Sequence, residues 1–370
     1  MIIGIDASRA NKDFKTGTEW YSHYVIEELK KITPENFQVI LYTNEKLKGG
    51  LEKMPSSNWQ EKDLKWPPKY LWTQIRLWWE LFIFPPDYFF VPAHTIPFLP
   101  LRKKTKIIAT VHDVGFKRFP GLYKKIQVYY HDWTMRRIKQ RANIINTISE
   151  FSKREIVELY GVNPDKIKVI YLGYDKEKFK KIEKENLDIL NKYKITKPYL
   201  LYLGRIEKKK NVANMIHAFA LSKDKHQNLK LVLAGGSGFD FEAIKQIITD
   251  LKLENEIIIP GYIDEVDLPQ VIASAEVFLF PTLYEGFGLP ILQAMACQTP
   301  VVTSDMDPHK EVADGAALLV DPRNAQAISD QINSILENDD LRRDLIQKGV
   351  MRAEEFSWTK TAQGILALMK

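Results

Sequence analysis

Short runs of β-branched and aromatic residues alternate along this chain with longer stretches in which apolar positions recur every three or four residues. That alternation predicts parallel sheets wrapped by helices. In the first half the expected strands are Ile2 to Asp6, Phe37 to Tyr42, Tyr88 to Val91, Lys106 to Val111, Asn143 to Thr147 and Lys168 to Tyr171. Ser149 stands where an N-cap would open a helix from Glu150 to Tyr160, and Gly161 where a glycine cap would close it. The stretch from Asp175 to Lys197 is rich in Lys and Glu, lacks apolar periodicity until Leu190, and reads as a connection. A second alternation follows, with strands expected at Tyr199 to Leu203, Lys230 to Ala234, Glu256 to Ile259, Glu276 to Phe280, Pro300 to Thr303 and Ala317 to Val320. The expected fold class is α/β, two Rossmann-like doubly wound parallel-sheet domains facing a central cleft. Ligands of such sheets bind beyond the carboxyl ends of the strands.

Length supports two domains, because 370 residues exceed what one core organises. The single cysteine, Cys297, cannot close an intramolecular disulfide, which points to a reducing compartment, the cytoplasm by default. The apolar start Ile2 to Ile5 is too short for a signal peptide, and no run approaches the roughly 20 residues that span a bilayer. Charge is unevenly spread: Met1 to Leu172 carries 28 Lys and Arg against 18 Asp and Glu, and the remainder 25 against 29. The basic half suits an anionic membrane surface or phosphorylated substrates, a solvated face being the plain alternative.

The residues that carry chemistry lie after the strands of the second half. Gly204-Arg205 end one strand, and Lys210-Asn211 precede a helix, so two cations flank a helix N-terminus, where free amides already favour anions. A diphosphate fits there; the alternative is a solvated charged turn at 207–210. A later strand runs into Pro281-Thr282-Leu283-Tyr284-Glu285-Gly286-Phe287-Gly288-Leu289-Pro290 and then a helix from Ile291 to Ala296. Two glycines allow close backbone approach to a ligand, and Glu285 and Gln293 could reach different parts of one long polar molecule.

The block LYEGFGLPILQAMACQTPVVT, from Leu283 to Thr303, resembles the donor-site signature of glycosyltransferase family 4, retaining glycosyl and mannosyltransferases of the GT-B fold, and GRIEKKKN resembles its phosphate-binding element. Further similarities are Thr16-Gly17-Thr18 with Trp20-Tyr21, TVHDV at 110–114, Tyr171 to Asp175, and FSWTKTA at 356–362. The resemblance implies an acceptor-binding domain over 1–172, a donor-binding domain over 173–355 and a final helix, 356–370, returning to the first domain. It also implies that Arg205 and Lys210 bind the donor diphosphate, that Glu285 and the amides of Phe287, Gly288 and Leu289 hold the sugar, and that residue 293 meets the ribose. Gly17 would close over the phosphates and His112 would face the reacting sugar. His112, Glu285, Arg205 and Lys210 form the catalytic set, with no metal and no cofactor.

Two positions depart from the family pattern. Gln293 stands where Glu is usual, keeping an acceptor oxygen without the charge. Gln298 stands where Gly is common, at a cost of about 1–2 kcal/mol if the backbone there is left-handed. No carboxylate nucleophile stands out, so same-face attack with the leaving phosphate as base is the expected route.

Several signals are set aside. Asp305-Met306-Asp307 has metal-site spacing but precedes Pro308 and reads as a turn, and His23, His94, His131, His217, His226 and His309 show no ligand spacing. Gly236 and Gly238 would begin a nicotinamide-binding loop only with a small residue at 241, which is Phe241. Tyr70 to Phe84, and Phe116 to Arg141, mix aromatics with cations and suit either a membrane surface or an acceptor pocket, core packing being the alternative. The expectation is transfer of a hexosyl unit, mannosyl or glucosyl, from a UDP- or GDP-sugar to a glycan or lipid-linked acceptor. It would occur in the cytoplasm, peripherally at the inner face of the membrane, with no nucleic acid involved. A sugar-nucleotide-binding protein without transfer and a sugar-nucleotide epimerase are the alternatives.

Overall fold

In a computed structural model, which describes every residue except Lys69, His94, Lys103, Lys184 and Phe239, the chain forms two compact units. His94, considered above as a ligand, thus lies outside the described residues. The first unit comprises Met1–Gly173 and Trp358–Lys370, the second Tyr174–Ser357.

The first unit is built on seven parallel strands: β1 (Ile2–Asp6), β2 (Gln38–Thr43), β3 (Trp59–Asp63), β4 (Tyr88–Val91), β5 (Lys106–Val111), β6 (Ile144–Thr147) and β7 (Ile167–Val169), in the order β3-β2-β1-β4-β5-β6-β7. β4 is apolar and buried along its length, as a strand covered on both faces must be. β3, sequence WQEKD, was not anticipated. It pairs with β2 from Val39↔Trp59 to Thr43↔Asp63 and buries fully only Trp59. As an edge strand it keeps charged side chains, which mask its apolar signal. Ser149 does cap Glu150–Tyr160 by accepting from Ser152 N, and Gly161 closes that helix in the left-handed region. The last helix, Trp358–Ala367, packs on the helix Gly17–Ile32. Trp358 stacks on Tyr24 at 5.2 Å, and Thr359 donates to Glu28 at 2.7 Å.

The second unit carries six parallel strands: β8 (Tyr199–Leu203), β9 (Lys230–Ala234), β10 (Ile257–Gly261), β11 (Val277–Phe280), β12 (Val301–Ser304) and β13 (Leu318–Val320), ordered β10-β9-β8-β11-β12-β13. The stretch read as a connection contains the short helix Leu187–Lys192 and falls within this unit. In each sheet the order reverses once, between β1 and β4 and between β8 and β11. At such a switch point the crossovers leave in opposite directions and a crevice opens beyond the strand ends.

Glycines hold the loops above β8 and β9 together. Gly204 N donates to Ala234 O, Ile206 N to Gly236 O and Gly238 N to Ile206 O, at 2.9–3.0 Å. Gly235 has φ +137, and a Cβ there would lie 2.1 Å from the Gly204 carbonyl oxygen. At Gly236 nothing lies within 4 Å. Gly235→Ala should therefore destabilise the second unit by about 2 kcal/mol or more through overpacking and backbone strain, while Gly236→Ala stays within about 0.5 kcal/mol of the parent. Denaturant unfolding of the two variants checks this; equal stability would contradict the packing described.

Candidate donor site

The loop after β8 and the loop after β11 meet at the switch point of the second unit. Leu283 N donates to Lys209 O at 2.9 Å, tying one loop to the other. Asn211, left-handed at φ 62 and 5% exposed, ends the turn Lys208–Lys210 and opens the helix Val212–Lys223. Its amide donates to Pro281 O at 2.9 Å and to Pro322 O at 2.5 Å, so one side chain fastens the loops after β8, β11 and β13. Asn suits this place because it tolerates the left-handed region and its amide can bond backbone carbonyls. The sequence reading passed it over; an Asn after three lysines and directly before a helix was the available signal.

With the loops fixed, Lys210 forms an ion pair with Glu285. Both side chains are largely buried, at 14% and 17% exposure, and the ammonium lies 5.7 Å from the centre of the Phe280 ring. Gly288 follows at φ 104 as the N-cap of the helix Leu289–Ala296, with Pro290 in the first turn. That helix starts two residues earlier than the sequence pattern predicts, which brings the amides of Gly288 and Leu289 into its N-terminus. Phe287 is buried with its ring edge-on to Phe356, leaving its backbone as the group that can serve a ligand. Gln293 is half-buried on the same helix. Arg205 is not drawn into this cluster: its side chain is 68% exposed, and its recorded charge contact is Glu207 at 3.9 Å. Gln298 is left-handed at φ 64, a conformation that Gly adopts freely and that strains a residue with a Cβ.

His309 lies beneath this loop and was missed, having been weighed only as a metal ligand. It is 2% exposed, meets the Phe280 ring edge-on at 5.5 Å and shares a 3.3 Å hydrogen bond between its Nε2 and Thr282 Oγ1, while Nδ1 is buried without a partner. A side chain at residue 288 would meet the His309 ring at 3.2 Å, so glycine lets the loop backbone rest on the imidazole. Burial, and secondarily the Lys210 charge, depress its pKa to about 3, so the ring is neutral at pH 7. Asp305 pairs with Lys310 at 2.6 Å, and Asp307 precedes Pro308 in the turn before the helix His309–Ala313. Among the described residues no group of three or more His, Cys, Asp and Glu is placed to hold a metal ion.

In the first unit, His112 directly follows β5 at 7% exposure. Its Nε2 is 3.0 Å from Pro92 O, which can only accept, so Nε2 carries the proton; its carbonyl accepts from Ser152 Oγ at 3.0 Å. Burial lowers its pKa, keeping the ring neutral with its lone pair on Nδ1. It thus bonds backbone just past a strand end and also lines a cavity of about 180 Å³ with Thr18, Asp113 and His131. Gly17 is the first residue of the helix Gly17–Ile32 behind the Thr16 cap.

Residues 175–351 match the family description "Glycosyl transferases group 1", and residues 16–178 match "Glycosyltransferase Family 4". The O-antigen chain mannosyltransferase B of Escherichia coli is 33% identical over 263 residues, covering 70% of this chain and 69% of that protein. The chain belongs to the group 1 glycosyltransferases. Solved structures give the fold as GT-B. Sucrose-phosphate synthase from Thermosynechococcus elongatus superposes with a TM-score of 0.76 at 19% identity, over 99% of this chain and 98% of that one. Anabaena Alr3699/HepE in complex with UDP-glucose gives 0.75 at 17% identity, over 99% and 98%. The glycosyltransferase assignment thus rests on sequence, and the neighbours supply the architecture.

The buried His309 gives a pH test. An unfolded His takes up a proton near pH 6.5 and the folded one only near 3, so between these values the unfolded state binds more protons and stability falls as pH falls. From pH 7 to 5 this site should contribute about 2 kcal/mol of that loss. His309→Leu should therefore lose less stability than the parent over this range, measured by denaturant unfolding at both pH values. Parallel losses would show that His309 does not stay neutral in the fold.

Proposed function

We propose that this glycosyltransferase takes a hexosyl unit, mannosyl or glucosyl, from a nucleoside diphosphate donor held by its second unit. Transfer proceeds with retention of anomeric configuration and without a metal, to a glycan or lipid-linked acceptor of surface polysaccharide. The observation that carries the donor reading is the Lys210–Glu285 pair at the strand ends of β8 and β11, beside the amide-bearing helix start at Gly288. An arriving diphosphate competes for Lys210, and Glu285, released from it, turns to the sugar hydroxyls. Arg205, exposed before binding, folds onto the same phosphates as a second cation. Gln293 on the following helix meets the ribose.

Negative charge grows on the diphosphate as the glycosidic bond breaks, and fixed cations and amides stabilise it more than they stabilise the bound donor. Glu285 begins paired to a cation, which suits a hydrogen-bonding role better than attack on carbon. Same-face transfer, with a phosphate oxygen taking the acceptor proton, follows. From the first unit, His112 and Gly17 enter the reading on the resemblance alone. The mannosyltransferase named above supports a mannosyl unit and O-antigen-like products, and UDP-glucose in the HepE complex supports a nucleoside diphosphate donor. The relatives' transferase names favour transfer over simple binding or epimerisation. No helix among the described residues is long and apolar enough to cross a membrane. Attachment at the inner membrane face, through the basic first half, completes the proposal.

With a chelator present throughout, Lys210→Ala and Arg205→Ala should lower turnover about 100- to 1000-fold. Gln293→Ala should instead raise the KM for donor several-fold with turnover near the parent value, since a ribose contact is made equally before and during bond breaking. Steady-state kinetics on the three variants decide the roles. A parent enzyme that works only with added Mn²⁺ or Mg²⁺ would overturn the metal-free reading, and a turnover collapse in Gln293→Ala would move that residue off the ribose.

A further inference from the structure

The helix Gly17–Ile32 lays Tyr21 against the first sheet, with the side chain wholly buried. Its hydroxyl lies 3.3 Å from Thr110 Oγ1 and accepts from Asn146 Nδ2 at 3.0 Å, and the same amide donates to Thr110 Oγ1 at 3.2 Å. Thr110 and Asn146 are register partners on β5 and β6, both fully buried. Apolar β-branched side chains would fill these two places at less cost, because a buried polar group needs a partner and Asn146 Oδ1 has none. Polar groups of two strands are thus spent on holding one ring in place within an otherwise apolar layer.

The ring so held meets His112. Side chains two apart along a strand share a face, so the imidazole, two residues beyond Thr110, falls on the side of the sheet that carries Tyr21. The two rings are 4.7 Å apart at 87°, an edge-to-face contact. The Nε2–H bond to Pro92 O fixes one corner of the imidazole and leaves its plane free to turn about that bond. Contact with Tyr21 removes this freedom. Trp358, the first residue of the last helix, packs against Tyr21 as well, at 6.1 Å and 62°. Burial pushes the Tyr21 phenol well above its ordinary pKa, so it stays protonated and does not serve as a base.

We propose that Tyr21 is a positioning residue for His112: its ring fixes the plane of the imidazole, and its hydroxyl, through Thr110 and Asn146, fixes the ring. Nδ1 of His112 is then held in one orientation, and Trp358 keeps Tyr21 from receding. The inference rests on the placement of His112 at the reacting sugar and adds to it what holds that ring.

The test uses the full-length protein and reads His112 by imidazole NMR, with turnover followed as nucleoside diphosphate release from GDP-mannose and from UDP-glucose in the presence of octyl α-mannoside. In the parent, His112 should be a single Nε2–H tautomer whose proton exchanges slowly with water. Tyr21→Leu should mix the tautomers and speed that exchange at least about tenfold, while Tyr21→Phe, which keeps the ring, should stay within about threefold of the parent. Asn146→Val should shift His112 in the same direction as Tyr21→Leu without lowering the melting temperature, since it removes an unmet acceptor. Turnover should fall about tenfold or more in Tyr21→Leu with the donor KM little changed, and Tyr21→Leu should cost nothing further when added to His112→Ala, because it acts only through that ring. A parent-like His112 ring in Tyr21→Leu, or losses that add in the double variant, would overturn the proposal. Should Tyr21→Leu fail to fold, a parent-like ring in Asn146→Val overturns it instead. Full turnover in His112→Ala, or a parent inactive with both donors, would count against the transferase reading on which the proposal rests, while the NMR comparison still decides what holds the ring.

Discussion

The second unit is organised around one electrostatic constraint: Lys210 and Glu285 face each other across the switch point of its sheet, each largely withdrawn from water. Charges in such a place are weakly screened, and removing either would strand the other. The surrounding architecture keeps them together. Asn211 fixes the end of the β8 loop to carbonyls after β11 and β13, the Gly204–Gly235 contact sets the height of the β8 and β9 loops, and His309 supports Gly288 from below. An ion pair held this way is also replaceable: a diphosphate offers Lys210 more negative charge than one carboxylate does.

His309 shows how the apolar layer beneath the site serves its electrostatics. A protonated imidazole there would add a second buried cation beside Lys210, and burial prevents it. The neutral ring fills space between Phe280 and the glycine loop without a charge that would need its own counterion. First-unit chemistry follows a similar logic at His112, whose Nε2–H is committed to a carbonyl and whose ring burial keeps neutral.

Much of this was legible in the sequence because parallel strands buried on both faces write continuous apolar runs, and because glycines and caps punctuate them. Twelve strands were expected within one or two residues of those observed; β3 was not, since an edge strand can be as polar as WQEKD. Gln298 was flagged as costly if its backbone is left-handed, and it is left-handed. The site was legible only as a set of residue types. Sequence placed Arg205 and Lys210 together, but their side chains diverge, one to solvent and one to Glu285. Asn211 left only its place after three lysines as a signal and His309 none, because their roles arise from loops brought together by sheet order, which spacing along the chain does not encode. The same holds for the bonds among Tyr21, Thr110 and Asn146, which lie on elements that no single motif spans.

The most direct test of the donor-site account is a crystal structure of the protein with a bound nucleoside diphosphate sugar. The account predicts Lys210 Nζ within hydrogen-bond distance of a diphosphate oxygen, the Gly288 and Leu289 amides directed at the same ligand, and Glu285 parted from Lys210 and bonded to the sugar. A nucleotide bound elsewhere, with the Lys210–Glu285 pair intact, would contradict it.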